Sequence, residues 1–316
     1  MLSAGSNSLP ARSDCFMPVL MQTEPTATAK YATAWGIVCG AGAALFWAFG
    51  FVAARQGVSS GLSPLVIALH RFVWPGLALL PLVAKNNFAD LRMMGLRRAA
   101  ALALFGGLPL ALLSYVGYIL VPLGHGAVIQ PSCAALGGLV LARLVLKEPL
   151  PPRRIAGAGA IVVGVAVIGA EALRTIGAHG VLGDLLFVAA GSCFAIFGIL
   201  VRHWRIGAIR ATAVTTVLSL VGLPILLGSF DNMLAAGLYE NAMQAVVQGA
   251  LAGAGATYLF TRAVVLLGAG RAVLFPSLVP PFTLLIGYLT IGEAPTVSQL
   301  AGLVIVIAGF RLTQRA

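Results

Sequence analysis

Long apolar runs follow one another along almost the whole chain, and they constrain its fold more than any other feature. A helix that crosses a bilayer needs about 20 mostly apolar residues, and ten runs of the 316-residue sequence meet this length. They are 33–54, 62–84, 99–121, 126–146, 153–171, 181–201, 208–228, 242–262, 272–291 and 297–314. Only 9% of the residues are charged, too few to cover a water-facing surface. The sequence predicts an all-α polytopic membrane protein with ten transmembrane helices.

A six-residue phrase occurs twice and marks an internal repeat. AVIQPS at 127–132 and AVLFPS at 272–277 each place a proline inside an apolar run. With an offset of 145 residues, the segments 127–164 and 272–309 are identical at ten positions. We therefore expect two five-helix repeats behind a disordered N-terminal tail. The predicted domains are 1–32 for the tail, 33–171 for the first repeat and 181–314 for the second.

The basic residues indicate how these repeats lie in the membrane. A unit with five spans must enter the bilayer in opposite orientations in its two copies. If the N-terminus is cytoplasmic, 16 Lys and Arg residues fall on the cytoplasmic side and two in loops on the other side, as the positive-inside rule expects. The pattern predicts inverted repeats with both termini in the cytoplasm. Inverted repeats are typical of secondary transporters, whose substrate site lies near the midplane, although channels also use them.

Several stretches resemble one transporter family. The second repeat carries YLFTRAVVLLGAGRAVLFPSLVPPFTLLIGYLTIGEAPTVSQLAGLVIVIAGF at 258–310. The first repeat carries GAVIQPSCAALGGLVLARLVLKEPLPPRRIAGAGAIVVGVAVIG at 126–169, and ALHRF lies at 68–72. Together they are similar to the EamA-type permeases of the drug/metabolite transporter superfamily. The resemblance implies a ten-helix transporter of small organic molecules in the inner membrane of a cell, often an exporter.

The two repeated prolines are candidate kink positions. Pro131 and Pro276 lack an N–H and free the carbonyl group four residues earlier, and at membrane depth such a carbonyl needs protein or cavity water around it. Each proline either opens a substrate site or makes a packing kink. The serines that follow them, Ser132 and Ser277, either contact the substrate or bond back to their own helices.

Polar side chains inside the apolar runs are candidates for substrate contacts. Gln130 lies beside a proline, and Phe275 is its counterpart in the second repeat. Arg71 lies near the middle of its run, where a charge costs about 2.5–3.5 kcal/mol on insertion scales. It could bind a substrate carboxylate or pair with backbone carbonyls. His70 and His125 could relay protons or be packed and neutral.

Five aromatic residues complete the candidate substrate site. They are Trp47, Phe51, Tyr115, Tyr118 and Tyr258. The family resemblance implies that the first, third and eighth helices line a central cavity, and aromatic walls with few polar groups suit amphipathic organic solutes. The alternative for each residue is packing or a place in the interfacial belt.

Glutamates and glycines at the helix ends and faces have structural interpretations. Glu148 and Glu293 precede the fifth and tenth runs, and we expect them to cap those helices. Small residues at four-residue spacing, such as Gly249 with Gly253, let helices approach closely. Such faces could join the helices of one chain or form a homodimer.

These features together predict a permease that moves small organic metabolites across the inner membrane by alternating access, in the direction of export. Amino acids or related compounds are expected rather than large cationic drugs, because no acidic residue is expected inside the membrane. The sequence has no phosphate-binding GxxxxGK[ST] loop and no metal-binding motif, so no cofactor is predicted. The basic residues are dispersed, so the partners are a small-molecule substrate and the lipid bilayer, not nucleic acid. A membrane-embedded enzyme and a passive channel are the alternatives.

Overall fold

A computed structural model describes residues 27–85, 92, 94–145, 147, 150–267 and 275–314 of the chain. Glu148 and residues 1–26 of the predicted tail lie outside the described residues. The α-helices are α1 (Ala27–Ser59), α2 (Pro64–Lys85), α3 (Leu96–Gly106), α4 (Leu108–Leu120), α5 (Leu123–Val145), α6 (Pro152–Thr175), α7 (Ala178–His203), α8 (Ala208–Leu218), α9 (Leu223–Gly228), α10 (Phe230–Gln244), α11 (Ala256–Leu267), α12 (Val279–Ile291) and α13 (Val297–Gln314). A π-helical segment, Ala245–Gly255, joins α10 to α11, and short 3-10 turns lie at Ser219–Gly222 and Phe275–Leu278.

The described helices form a multi-pass membrane protein. Six of them, or continuous pairs of them, are long and apolar enough to cross a bilayer: Tyr31–Ser59, Pro64–Lys85, Leu96–Leu120, Leu123–Val145, Ala178–His203 and Arg210–Gly228. Two shorter apolar helices, Val279–Ile291 and Val297–Leu312, follow near the C-terminus. Helices also occupy the predicted fifth and eighth runs. The all-α class is as predicted for the described residues, and the number of ten spans stays a prediction.

Several boundaries differ from those that apolar length suggests. Helix α1 begins at Ala27, so residues 27–32 of the predicted tail are helical. The predicted linker 229–241 is largely helical and is bent at Gly237, whose φ of 85° suits glycine. Apolar length alone missed this helix because its residues are mixed in polarity. The predicted third run is divided at Gly107 into α3 and α4.

Small residues join the two halves of the chain where α6 packs against α13. A Cβ atom added at Gly164 would lie 2.7 Å from the carbonyl oxygen of Gly302, and one added at Gly309 would lie 2.7 Å from that of Gly157. Gly157 and Gly164 correspond to Gly302 and Gly309 at the 145-residue offset. Each of these two contacts is therefore the counterpart of the other when the first half of the chain is mapped onto the second. These glycines join helices of one chain, which was one of the two predicted alternatives.

We expect Gly164→Leu to destabilise the protein by about 1–3 kcal/mol, the usual cost of inserting bulk into a packed interface. The backbone of Gly302 blocks the new side chain, so α6 and α13 must separate. Thermal unfolding of the purified protein in detergent measures the effect. Gly159→Leu is the matched control, because it lies on the same helix and a Cβ atom there meets nothing within 4 Å. An equal loss of stability in both variants would contradict this account of the interface.

Candidate functional site

Gln248, in the π-helical segment, is the centre of a buried polar cluster. Its side-chain oxygen accepts hydrogen bonds from Arg71 Nη1 at 3.1 Å and from the hydroxyl group of Tyr115 at 3.0 Å. Its Nε2 atom donates to the carbonyl oxygen of Gly50 at 2.7 Å. The cluster therefore joins α1, α2, α4 and the π-helical segment. Among the described residues, the structure pairs Arg71 with this neutral amide and with no carboxylate.

Small residues allow these segments to meet. A Cβ atom at Gly249 would lie 3.1 Å from the carbonyl oxygen of His70, and one at Gly253 would lie 3.0 Å from that of Arg71. The α2 backbone thus packs directly on the π-helical segment. Gly50 likewise allows α1 to approach Arg71 closely, because an added Cβ atom there would lie 3.4 Å from Arg71 Nη1. The predicted Gly249–Gly253 face is therefore an intrachain contact that holds Gln248 beside Arg71.

Further buried polar side chains precede Gln248 along the same helix. Gln244 donates from Nε2 to the carbonyl oxygen of Ala53 at 2.6 Å and to the carboxylate of Glu240 at 2.9 Å. Glu240, Gln244 and Gln248 are four residues apart, and all three are buried. In a membrane, such groups avoid lipid by facing protein or a polar path.

An ion pair ties the two halves of the chain together near the end of α1. Arg55 Nε donates to Glu293 Oε1 at 2.5 Å, and Arg55 Nη1 donates to the carbonyl oxygen of Tyr118 at 2.7 Å. The second oxygen of Glu293 accepts the backbone N–H of Leu123, the first residue of α5, at 2.8 Å. The prediction that Glu293 caps the tenth helix is therefore wrong, because its carboxylate caps α5. The start of α13 is capped by Thr296, whose hydroxyl accepts the N–H of Gln299 at 3.2 Å.

The predicted aromatic residues do not form one group. Phe51 and Tyr118 meet edge to face with centroids 6.5 Å apart, and Tyr118 also packs on Phe187 at 4.9 Å. Trp47 contacts Phe260 at 5.4 Å. Tyr258 is 55% exposed. Among the described hydrogen bonds of these five residues, that of Tyr115 alone joins the Arg71 cluster, and Phe187 is an aromatic contact that the sequence did not single out.

The residues around the repeated prolines do not form one group. Pro131 lies inside α5, whereas Pro276 lies in the 3-10 turn before α12, so only the first is an interior helix proline. Ser132 is buried and donates to the carbonyl oxygen of Val128 at 2.6 Å, which is the backbone-bonded alternative predicted for it.

The Oε1 atom of Gln130 is buried with no hydrogen-bond partner among the described residues. Phe275 packs on α1 at Gly40, where an added Cβ atom would lie 2.3 Å from its ring; the side chain of Ser277 lies outside the described residues.

The interior also holds acidic groups, which corrects the expectation that none is buried. Asp184 and Glu240 are 7% and 6% exposed. His125 Nδ1 lies 2.9 Å from Asp184 Oδ1. His70 accepts the indole N–H of Trp74 at its Nδ1 atom, 2.8 Å away. Sequence spacing does not reveal these contacts. The His125–Asp184 contact joins two different helices, and the His70–Trp74 contact depends on the side-chain rotamers.

Sequence reasoning missed Gln248, Gln244, Asn241, Glu240 and Asp184. The signal was present for Gln248, Gln244 and Asp184, because amide and carboxylate side chains inside apolar runs are costly unless they are hydrogen-bonded, whereas Glu240 and Asn241 lie between two predicted runs. Asn241 shows how such a group is satisfied, since its Nδ2 atom donates to the carbonyl oxygens of Met233 and Gly237 at 2.6 and 2.7 Å. Every polar residue within a predicted span is therefore a candidate for the interior.

Comparison with known proteins defines the class of the molecule. The EamA-like transporter family matches residues 34–170 and again residues 181–314. The chain belongs to this family of membrane transporters. A search of the curated proteins finds no match. A solved structure described as "Crystal structure of protein" is similar with a TM-score of 0.56 at 18% identity, over 90% of this chain and 96% of that one; this likeness concerns the fold alone.

Proposed function

We propose that this protein is a secondary transporter that exports small organic metabolites bearing a carboxylate group, such as amino acids or related compounds, across the inner membrane by alternating access. The observation that carries the proposal is the position of Arg71. Its guanidinium group is held inside a membrane protein by Gln248, an uncharged partner. A membrane-embedded cation whose partners among the described residues are uncharged can have its charge neutralised by a substrate carboxylate.

Substrate binding would then use the groups around Arg71. Tyr115 and Gln248 hold the guanidinium group in position, because Gln248 Oε1 accepts hydrogen bonds from both Arg71 Nη1 and the hydroxyl group of Tyr115. A planar guanidinium group can donate two parallel hydrogen bonds to a carboxylate. Outside this cluster, the Oε1 atom of Gln130 on α5 has no hydrogen-bond partner among the described residues, and it is our candidate acceptor for an ammonium or hydroxyl group of the substrate. An amino acid supplies both kinds of group.

The inverted arrangement of the halves supports alternating access. The reciprocal contacts of α6 with α13 are those of two equivalent units, and the distribution of basic residues supports a cytoplasmic position for both termini. In this orientation Arg55 and Glu293 lie at the outer end of the bundle, and their ion pair closes that end. The site at Arg71 would then reach the cytoplasm first and the outside after the ion pair opens.

Counterflow in liposomes tests the function. The purified protein is reconstituted into vesicles preloaded with a mixture of unlabelled L-amino acids and other carboxylated metabolites, and entry of each compound in labelled form is followed. We expect saturable, transient accumulation of at least one class of carboxylated solute, since a carrier exchanges bound solutes one for one. Flux that does not saturate and shows no counterflow would indicate a channel and contradict the proposal.

A further inference from the structure

A histidine and an aspartate form a buried pair between the two repeats. His125 is the third residue of α5, and Asp184 lies two turns into α7. Their side chains meet with His125 Nδ1 2.9 Å from Asp184 Oδ1. The two residues are 1% and 7% exposed. The pair is separate from the Arg71 cluster and shares no hydrogen bond with it among the described residues.

One oxygen of this aspartate is left without a partner. Asp184 Oδ2 is buried and has no hydrogen bond from any described residue. An ionised carboxylate in a low-dielectric interior is costly unless both oxygens are satisfied. Binding a proton on the pair removes its net negative charge and turns the carboxylate into a donor and an acceptor. Ionisable residues inside a membrane often form proton relays, and histidine is the side chain that titrates closest to neutral pH.

The aspartate also lines a cavity between α5, α6 and α7. The cavity has a volume of about 380 Å³. Its other lining residues are all aliphatic: Ile129, Val165, Ala166, Ala170, Val181, Leu185 and Val188. Asp184 is therefore the single polar residue on its wall. The carboxylate thus borders open space inside the protein instead of being enclosed by side chains on every side.

Other charged and titratable groups lie on the helices around the pair, and none is bonded to it among the described residues. Glu293 accepts the N–H of Leu123, two residues before His125, and forms an ion pair with Arg55. The remaining groups with described side chains on these two helices and on the helices that pack against them are Tyr31, Cys39, Arg97, Arg98, Tyr115, Tyr118, Cys133, Arg143, Arg153, Arg154, Glu171, Arg174, His179, Cys193, Arg202, His203, Tyr288 and Arg311.

We infer that the His125–Asp184 pair is the proton-binding site that couples transport to the proton gradient. The pair takes up one proton from the outside in the outward-open conformation and releases it to the cytoplasm in the inward-open conformation. One proton enters for each substrate molecule that leaves, and no covalent bond other than the one to the proton changes. The pair joins the first repeat to the second, so its charge acts on the contact that must change during alternating access. The inference rests on the proposed function, which supplies the transport step.

Asp184→Asn tests the coupling, because asparagine keeps the size of the side chain and an acceptor for His125. The variant and the wild type are reconstituted with the same amino-acid mixture inside the vesicles. Two readouts are compared, namely counterflow at equal pH and export under an acid-outside gradient of one pH unit. If the wild type exchanges one proton for one substrate molecule, a gradient of one pH unit can support a substrate concentration ratio of about tenfold across the membrane. Asp231→Asn is the matched control, since Asp231 is an exposed carboxylate on α10.

The expected result is that Asp184→Asn exchanges amino acids in counterflow and loses the roughly tenfold effect of the gradient, while Asp231→Asn behaves as wild type. A gradient effect that persists in Asp184→Asn would overturn the inference. So would wild-type counterflow that is unaffected by the gradient, and that result would leave the proposed function intact. Failure of counterflow in the wild type would count against the proposed function instead.

An infrared titration of the full-length protein in detergent tests the proton site without transport. We expect a carboxylic-acid stretching band that rises as the pH falls and that is missing from Asp184→Asn but present in Asp231→Asn. His125→Gln should shift the pH at which the band appears, because it removes the partner of Oδ1. A band that is the same in wild type and Asp184→Asn would overturn the inference even if no substrate were found. Size-exclusion chromatography shows whether each variant is folded.

Discussion

Replacing Arg71 by glutamine is expected to reduce counterflow of carboxylated solutes by about 10- to 100-fold, because a hydrogen bond to a charged group contributes about 1.5–3 kcal/mol. Glutamine can still reach a neighbouring amide, but it carries no charge to offer a carboxylate. Arg71→Lys should keep part of the activity, because it retains the charge and loses the paired donors of the guanidinium group. Initial rates of counterflow over a range of solute concentrations measure both effects.

The control for this prediction is Arg174→Gln. Arg174 is exposed in the last turn of α6, so its loss should leave transport unchanged. If Arg71→Gln folds, as judged by its elution and thermal unfolding, and still exchanges carboxylated solutes at the wild-type rate, Arg71 is a structural residue held by Gln248. The structural alternative for Arg71 would then be the correct one.

Glu293→Gln is expected to weaken the closure of the outer end. The carboxylate of Glu293 binds Arg55 on α1 and the first N–H of α5, so it fixes two segments that must part if this end opens. The two side chains are 22% and 27% exposed, which places the pair between a buried and a surface ion pair. We expect a loss of about 1–3 kcal/mol in the stability of the closed conformation, or about a 5- to 150-fold change in its population relative to an open one.

Hydrogen exchange measures this change. Backbone amides around Leu123 and at the start of α13 should exchange faster in Glu293→Gln than in the wild type, while those of the α6–α13 interface should not change. Glu171→Gln is the matched control, because Glu171 accepts a hydrogen bond from Thr296 at 2.8 Å without an ion pair among the described residues. Equal protection of the amide of Leu123 in all three proteins would show that the ion pair does not hold this end closed.

The helical class and the family could be predicted from the sequence because they depend on apolar length and on a repeated pattern. Runs of about 20 apolar residues leave few alternatives to a membrane helix. The four-residue spacing of Gly249 and Gly253 also pointed to close packing, and the structure shows each against the backbone of α2. Features that extend over many residues are thus visible without knowledge of the tertiary contacts.

The individual contacts could not be predicted, because they depend on which faces of distant helices meet. The Arg71–Gln248 hydrogen bond joins residues 177 positions apart, and no local pattern relates them. Glu293 was expected to cap the helix that follows it, but the inter-helix packing brings Leu123 and Arg55 to its carboxylate. The expectation of an interior without acidic groups was wrong because Asp184 and Glu240 are covered by other parts of the chain, which no local pattern reveals.

The most direct test of the central claim compares counterflow of L-amino acids with counterflow of their methyl esters in vesicles that contain the wild-type protein. The two solutes share a side chain and an ammonium group, and only the acid can neutralise Arg71. We predict saturable accumulation of at least one amino acid and little or none of its ester. Equal accumulation of acid and ester, or accumulation of esters alone, would contradict a carrier that recognises its substrate by a carboxylate group.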